Sequence, residues 1–304
     1  MRYFMTTKQK ALWAYLVFVA LYGCGTLLLP PPKATLRMYH LSVLHLRLLD
    51  LSVIVLYAAI WWCAIYGFYS LSTYTKLIRK SKDGIALAKI TTGIGFIAFW
   101  LPVSSTFSTY TDYIAQNHHS LAVPMNIAHN YLSLLLPLIG FVFISMGART
   151  LSEIMKQRPS FKALHIMSLA IILVGVIYAH LVSTTHNRLN SVYSMSITYI
   201  LITLVVPYIY MWFVGMLAVY EIYNYRAKIS GAIYRQGWHM LAVGLGAIVT
   251  MSIIIQYLTT ISEKLTRLSL NGLLLIVYVL LILLAVGYVC IAVGARNLKK
   301  IEEV

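Results

Sequence analysis

The sequence predicts an all-α integral membrane protein with about eight transmembrane helices, arranged as two tandem, parallel four-helix repeats with both termini on the cytoplasmic side. Three observations predict it. The 304 residues are 60% hydrophobic and only 11% charged, whereas soluble domains carry about 25% charged residues. The apolar residues form unbroken runs, each about as long as the ~20 residues a helix needs to cross the hydrocarbon core. The basic residues behind the net charge of +16 gather in the short stretches between those runs, as the positive-inside rule asks of cytoplasmic loops.

Lipid offers no partner to a bare N–H or C=O, so only helices and closed barrels cross it, and continuous rather than alternating apolar runs select helices. The expected spans are 11–29, 50–72, 84–104, 129–148, 163–184, 196–220, 238–257 and 270–293. The first follows Arg2, Lys8 and Lys10 and is stopped by Pro30-Pro31-Pro32. It resembles a signal peptide, and Leu21-Tyr22-Gly23-Cys24 loosely resembles a lipoprotein cleavage box. The apolar run nevertheless continues through Leu29, so it reads as a retained first span. Residues 37–50 place Leu41, Leu44, Leu48 and Leu51 on one helical face with Arg37, His40 and Arg47 roughly opposite, the pattern of an interfacial segment leading into the second span. Lys76, Arg79, Lys80 and Lys82 close that span. An outer loop is expected at 105–128, which holds no Lys or Arg and one acid, Asp112. Arg149, Lys156, Arg158 and Lys162 separate the fourth and fifth spans, and Arg226, Lys228 and Arg235 the sixth and seventh. Pro102, Pro137 and Pro207 lie inside spans, where each frees a carbonyl and kinks its helix.

With the N-terminus inside, all but six of the 24 Lys and Arg fall on the inner side; the six are Lys33, Arg37, Arg47, Arg188, Lys264 and Arg267. The expected location is therefore the cell inner (plasma) membrane, with N-in/C-in topology. The positive charge reads as topogenic and lipid-facing, so membrane lipids, and other membrane subunits, are the expected partners and nucleic acid is not.

The fourth span ends GFVFISMGARTLSEI (140–154) and the eighth ends GYVCIAVGARNLKKI (287–301). At one constant separation they share Gly140/Gly287, Val142/Val289, Ile144/Ile291, Gly147/Gly294, Ala148/Ala295, Arg149/Arg296, Leu151/Leu298 and Ile154/Ile301, where chance gives roughly one or two identities. Gly84 and Gly231 match at the same separation, and Lys-Ala-Leu recurs at 10–12 and 162–164. Residues 1–155 and 156–304 thus read as two copies of a four-helix unit, and an even number of spans per copy makes the copies parallel about an axis along the membrane normal. Gly140, Gly147, Gly287 and Gly294 are expected to let a neighbouring helix approach closely. Arg149 and Arg296 are expected to reach the inner headgroups.

Little in the spans carries chemistry. Lys89 can snorkel inward, Asp50 can pair with Arg47, and no acid lies mid-membrane. Cys24, Cys63 and Cys290 are isolated thiols inside apolar runs. Of nine histidines, seven map to the outer half: His40, His45, His118, His119, His129, His180 and His186. His45, His129 and His180 lie nearest the outer ends of spans and are the candidate haem or metal ligands. Trp61, Trp62, Trp100 and Trp212 sit within spans, where mid-membrane aromatics beside proline kinks can line an apolar pocket. No serine-nucleophile elbow, phosphate-binding loop, dinucleotide fingerprint or carboxylate pair occurs.

Two tandem four-helix units with outer histidines resemble the architecture of heme A synthase. That resemblance implies an axial His pair in each half, with haem as cofactor. His45 and His129 match such a pair in the first half. Spans 196–220 and 270–293 of the second half hold no His, and the family's outer-loop cysteine pair has no counterpart here. The chain therefore reads as a non-catalytic accessory or scaffold subunit of a membrane complex. Its alternatives are a permease or channel for a small or apolar solute and a haem- or quinone-linked redox protein.

Overall fold

The computed structural model describes residues 7–29, 42–117, 119–155, 206–229, 231–261 and 270–302. These form seven helices: α1 (Thr7–Leu28), α2 (Val43–Leu77), α3 (Lys82–Asn117), α4 (His119–Ile154), α5 (Val206–Ala227), α6 (Ala232–Ile261) and α7 (Leu270–Glu302). No strand occurs among the described residues. Five stretches are long and apolar enough to cross a membrane: Arg47–Leu77, Lys82–Thr111, Leu135–Ile154, Ala232–Ile255 and Leu275–Lys300. A shorter apolar stretch, Leu12–Leu28, lies in α1. The expected fifth span, 163–184, lies outside the described residues, as does the start of the sixth.

Helix α7 shows why these helices suit lipid. Leu275, Val279, Ile282, Val286, Val289 and Val293 are exposed along one stripe, while Leu281, Leu284, Tyr288, Ile291, Ala295 and Leu298 are buried on the other face. Both faces are apolar. A helix hydrophobic all round belongs in a large core or a bilayer, and an exposed stripe of this kind on a water-soluble surface would be an aggregation liability.

Within the expected outer loop at 105–128, residues 105–117 and 119–128 are helical instead. Helix α3 has 36 residues, or about 54 Å at 1.5 Å per residue, against a hydrocarbon core of ~30 Å. The polar stretch after Pro102 stays helical because its hydroxyls bond carbonyls one turn back: Ser105 Oγ donates to Leu101 O (2.6 Å) and Thr109 Oγ1 to Ser105 O (3.0 Å). Serine and threonine then remain within the helix rather than competing with it. Residues 43–50, expected as an interfacial piece, are the first turns of a continuous α2. Leu44, Leu48 and Leu51 there are exposed.

At the α2–α3 turn, Gly84 N donates to Ser81 Oγ (2.9 Å), an N-cap bond. A side chain at Gly84 would meet Ile78 O at 1.8 Å, so only glycine fits. Gly231, just before α6, instead has φ +98°, a conformation glycine tolerates freely. The two glycines serve different local needs, and the separation matching them is that of Gly140 and Gly287 on α4 and α7, not that of Gly93 and Gly244 on α3 and α6.

The register between the long helices is set by glycine contacts. Helices α3 and α4 cross where Gly93 and Gly140 meet: a Cβ on Gly93 would lie 2.4 Å from Gly140 O, and one on Gly140 2.8 Å from Gly93 O. Helices α6 and α7 cross in the same way, with a Gly244 Cβ 2.6 Å from Gly287 O and a Gly287 Cβ 3.0 Å from Gly244 O. Two turns along, Gly147 abuts Ala86 O and Ile90, and Gly294 abuts Gly237 O and Leu241. Helix α2 packs on α3 and α7, α5 packs on α6 and α4, and α1 rests on α2 and α3. Gly67 of α2 meets Tyr288 of α7, while Gly215 of α5 meets Phe141 of α4. These contacts bring the α2–α3 turn, the α5–α6 turn and the C-terminal ends of α4 and α7 to one end of the bundle, which is its basic end.

Candidate functional site

The sequence-predicted ligand set is only partly within the described residues. His180 lies outside them, and His45 is placed on α2 without a described side chain. His129 of α4 is half-buried, with Nε2 3.4 Å from Ser104 Oγ and its ring stacked near Phe107 at 6.1 Å. Both partners belong to α3, so the imidazole fills the α3–α4 seam. Among the described residues no group of three or more His, Cys, Asp or Glu is placed to hold a metal ion.

The two arginines of the repeated motif have different surroundings. Arg149 Nε bonds Glu153 Oε1 at 2.9 Å, one turn on and partly exposed. Lys300 occupies the position matching Glu153, and Arg296 is exposed.

Polar side chains collect at the basic end, across α3, α4, α5 and α6. Ser152 Oγ donates to Glu221 Oε2. Lys89 Nζ donates to Thr150 Oγ1 at 3.0 Å. Arg226 Nη1 lies 3.2 Å from His239 Nδ1; since a guanidinium only donates, Nδ1 accepts and the ring proton sits on Nε2. Arg226 also lies over the Tyr223 ring, 5.0 Å from its centre. Beyond the apolar part of α5, burial and then the facing Asp83 carboxylate hold the Tyr225 phenol above its ordinary range. These contacts form a helix clamp, each hydrogen-bonded pair joining two helices. Sequence reading places these residues only in basic loops or at span ends, because nothing local to Ser152 announces a partner on α5.

The second gathering is aromatic and lies at mid-span. Tyr22 packs edge-on against Tyr57 and Trp61 at 5.3 and 5.4 Å, and Tyr15 against Trp62 at 5.3 Å. Beside them a cavity of about 50 Å³ is walled by Tyr15 and Phe18 of α1, Trp61 and Phe68 of α2, and Phe99 and Pro102 of α3. The sequence flagged Trp61 and Pro102 separately; the fold puts both on one wall. Further along, Arg47 of α2 anchors the end of α1 by donating to Thr26 O and to Leu29 O (2.7 Å), satisfying carbonyls that the end of α1 leaves open. Tyr110 Oη donates to Leu21 O at 3.0 Å, tying α1 to α3. Leu87, Ile90 and Ile94 of α3, Ile222 of α5 and Trp238, Leu241 and Leu245 of α6 also line an apolar gap of about 10 Å³.

Comparison with protein families, curated proteins and solved structures gives no match. The arrangement holds helices together by glycine contact, clamps their basic ends with hydrogen bonds and, among the described residues, encloses an aromatic-walled cavity.

Proposed function

We propose that the chain is an eight-span, internally duplicated membrane protein, N-in/C-in, that works by holding helices, lipids and partner subunits in place rather than by chemistry. Support for the duplication comes from burial as well as identity. At a separation of 151 residues, buried residues of α2 and α3 match buried residues of α5 and α6: Leu71 with Ile222, Tyr74 with Tyr225, Ile90 with Leu241, Ile97 with Ile248. Phe141, Ile144, Ala148 and Leu151 of α4 match Tyr288, Ile291, Ala295 and Leu298 of α7 at 147. The four-residue difference fits a shorter connection between the third and fourth helices of the second copy. The second helix of each copy packs on the fourth helix of the other, which is the reciprocity a twofold axis along the membrane normal produces.

The observation that carries the scaffold reading is the packing on that axis. Leu87, Ile94, Trp238 and Leu245 fill the space between α3 and α6, and the residual gap of about 10 Å³ is apolar. A permease of this build would place its solute where the two copies meet, and here bulky side chains occupy that place. The basic clusters gathered at one end of the bundle support an inner-membrane location with both ends cytoplasmic.

The test is flux. Purified protein reconstituted into proteoliposomes is expected to pass small polar and apolar solutes no faster than empty vesicles. Saturable flux that is abolished by Leu245→Trp would replace the scaffold reading with the permease.

A further inference from the structure

The two copies supply an internal control. Trp61 and Trp212 are equivalent at the separation of 151, and so are Phe99 and Thr250. In the second copy the Trp212 indole N–H donates to Thr250 Oγ1 at 3.2 Å. In the first copy Phe99 stands in the threonine's place, and the Trp61 indole N–H, on a side chain only 2% exposed, has no partner among the described residues. Leaving a buried donor unpaired destabilises the fold; in the other copy, where Trp212 is exposed, a threonine supplies the acceptor. Trp100 and Trp238 also bury unpaired indole N–H groups, but neither lines the aromatic cavity, and Trp61 does. Two further differences fall on the same wall. Phe68 corresponds to Val219, and Pro102 to Ile253. Pro102 has no N–H for the Ala98 carbonyl one turn back, and Ala98 also lines the cavity. Among the described residues, the aromatics and the unpaired donor around this space belong to α1, α2 and α3, and the matching positions on α5 and α6 differ.

We propose that this cavity is a binding site for a flat, membrane-dissolved carbonyl compound of the isoprenoid-quinone class, whose ring carbonyl accepts the Trp61 indole hydrogen bond. Depth argues for that class. Trp61 lies 14 residues along α2 from Arg47, or about 21 Å at the helical rise, so phospholipid headgroups do not reach it. The aromatic walls of Phe68 and Phe99 suit a planar ring. A cavity of about 50 Å³ admits the carbonyl-bearing edge of such a ring, since roughly 150 Å³ holds a whole benzene. The tail then leaves between α1 and α3 into lipid. The inference concerns binding alone and is independent of the scaffold reading.

The experiment titrates the full chain in nanodiscs with a decyl-benzoquinone and follows quenching of tryptophan fluorescence, with decylbenzene as the carbonyl-free competitor. Saturable binding is expected, with decylbenzene competing poorly. Trp61→Phe, which keeps the ring and removes the donor, is expected to bind about tenfold more weakly. Trp212→Phe is expected to bind as the unaltered chain does. Phe99→Thr, which recreates the second copy's internal bond, is expected to weaken binding and raise the melting temperature. Equal affinity for the quinone and decylbenzene would overturn the proposal in favour of a plain acyl-chain groove. Absence of saturation, or unchanged affinity in Trp61→Phe, would overturn it outright. If Phe99→Thr does not fold, Trp61→Phe decides alone.

Discussion

A Cβ at Gly147 would sit 2.5 Å from Ile90 Cγ1 and 2.7 Å from Ala86 O, whereas a Cβ at Gly23 would meet nothing within 4 Å. The first position has a helix backbone pressed against it and the second does not. Gly147→Ala is therefore expected to lower stability by about 1–3 kcal/mol through overpacking, outweighing the ~1 kcal/mol that alanine otherwise gains in a helix. Gly147→Leu and Gly294→Leu are expected to do more damage, and Gly23→Ala to be neutral or stabilising. Melting curves in detergent measure all four; equal curves for Gly147→Ala and Gly23→Ala would contradict the contact. The two-turn glycine spacing was legible in the sequence, because small residues on one helical face have few other uses in lipid. Their partners were not legible. Ser152 and Glu221 are 69 residues apart and meet only when α4 and α5 pack. Ser152→Ala is expected to cost about 1–2 kcal/mol, since it takes a donor from a half-buried carboxylate.

Among elements, α1 is the one held least by its own face. Leu12, Trp13, Leu16, Val17 and Leu21 are exposed along it, and its C-terminal end depends on Arg47 reaching back from α2 to two carbonyls. Arg47→Ala is expected to speed hydrogen exchange across residues 20–29 several-fold while leaving α3 and α4 unchanged; equal exchange in both chains would contradict that anchoring role. The sequence placed an apolar helix at α1, whose apolar stretch Leu12–Leu28 is shorter than the five that are long enough to cross a membrane. It misjudged residues 105–128, where polar composition suggested a loop. Serine and threonine hydroxyls bonding carbonyls one turn back make such a segment a helix, and composition alone does not distinguish the two.

For the whole molecule, membrane character was legible because lipid imposes it on every span at once: few charges, unbroken runs, basic ends. The pairing of helices was less so, since an identical pair such as Gly140 and Gly287 says nothing of which helix each one touches. The contact between Ser52 Oγ and Tyr278 Oη at 2.6 Å places α2 beside α7. A chain carrying Ser52→Cys and Tyr278→Cys is expected to cross-link internally with a short bifunctional thiol reagent, and lack of reaction with both thiols accessible would separate those helices.

The co-orientation of the two halves is tested most directly by accessibility at their matching turns. Arg79→Cys and Lys228→Cys, each in a chain with Cys24, Cys63 and Cys290 replaced by alanine, report the α2–α3 and α5–α6 turns from intact right-side-out vesicles. Both thiols are expected to resist a membrane-impermeant maleimide and to react fully once the vesicles are opened. Labelling of one turn but not the other in sealed vesicles would contradict two parallel four-helix units.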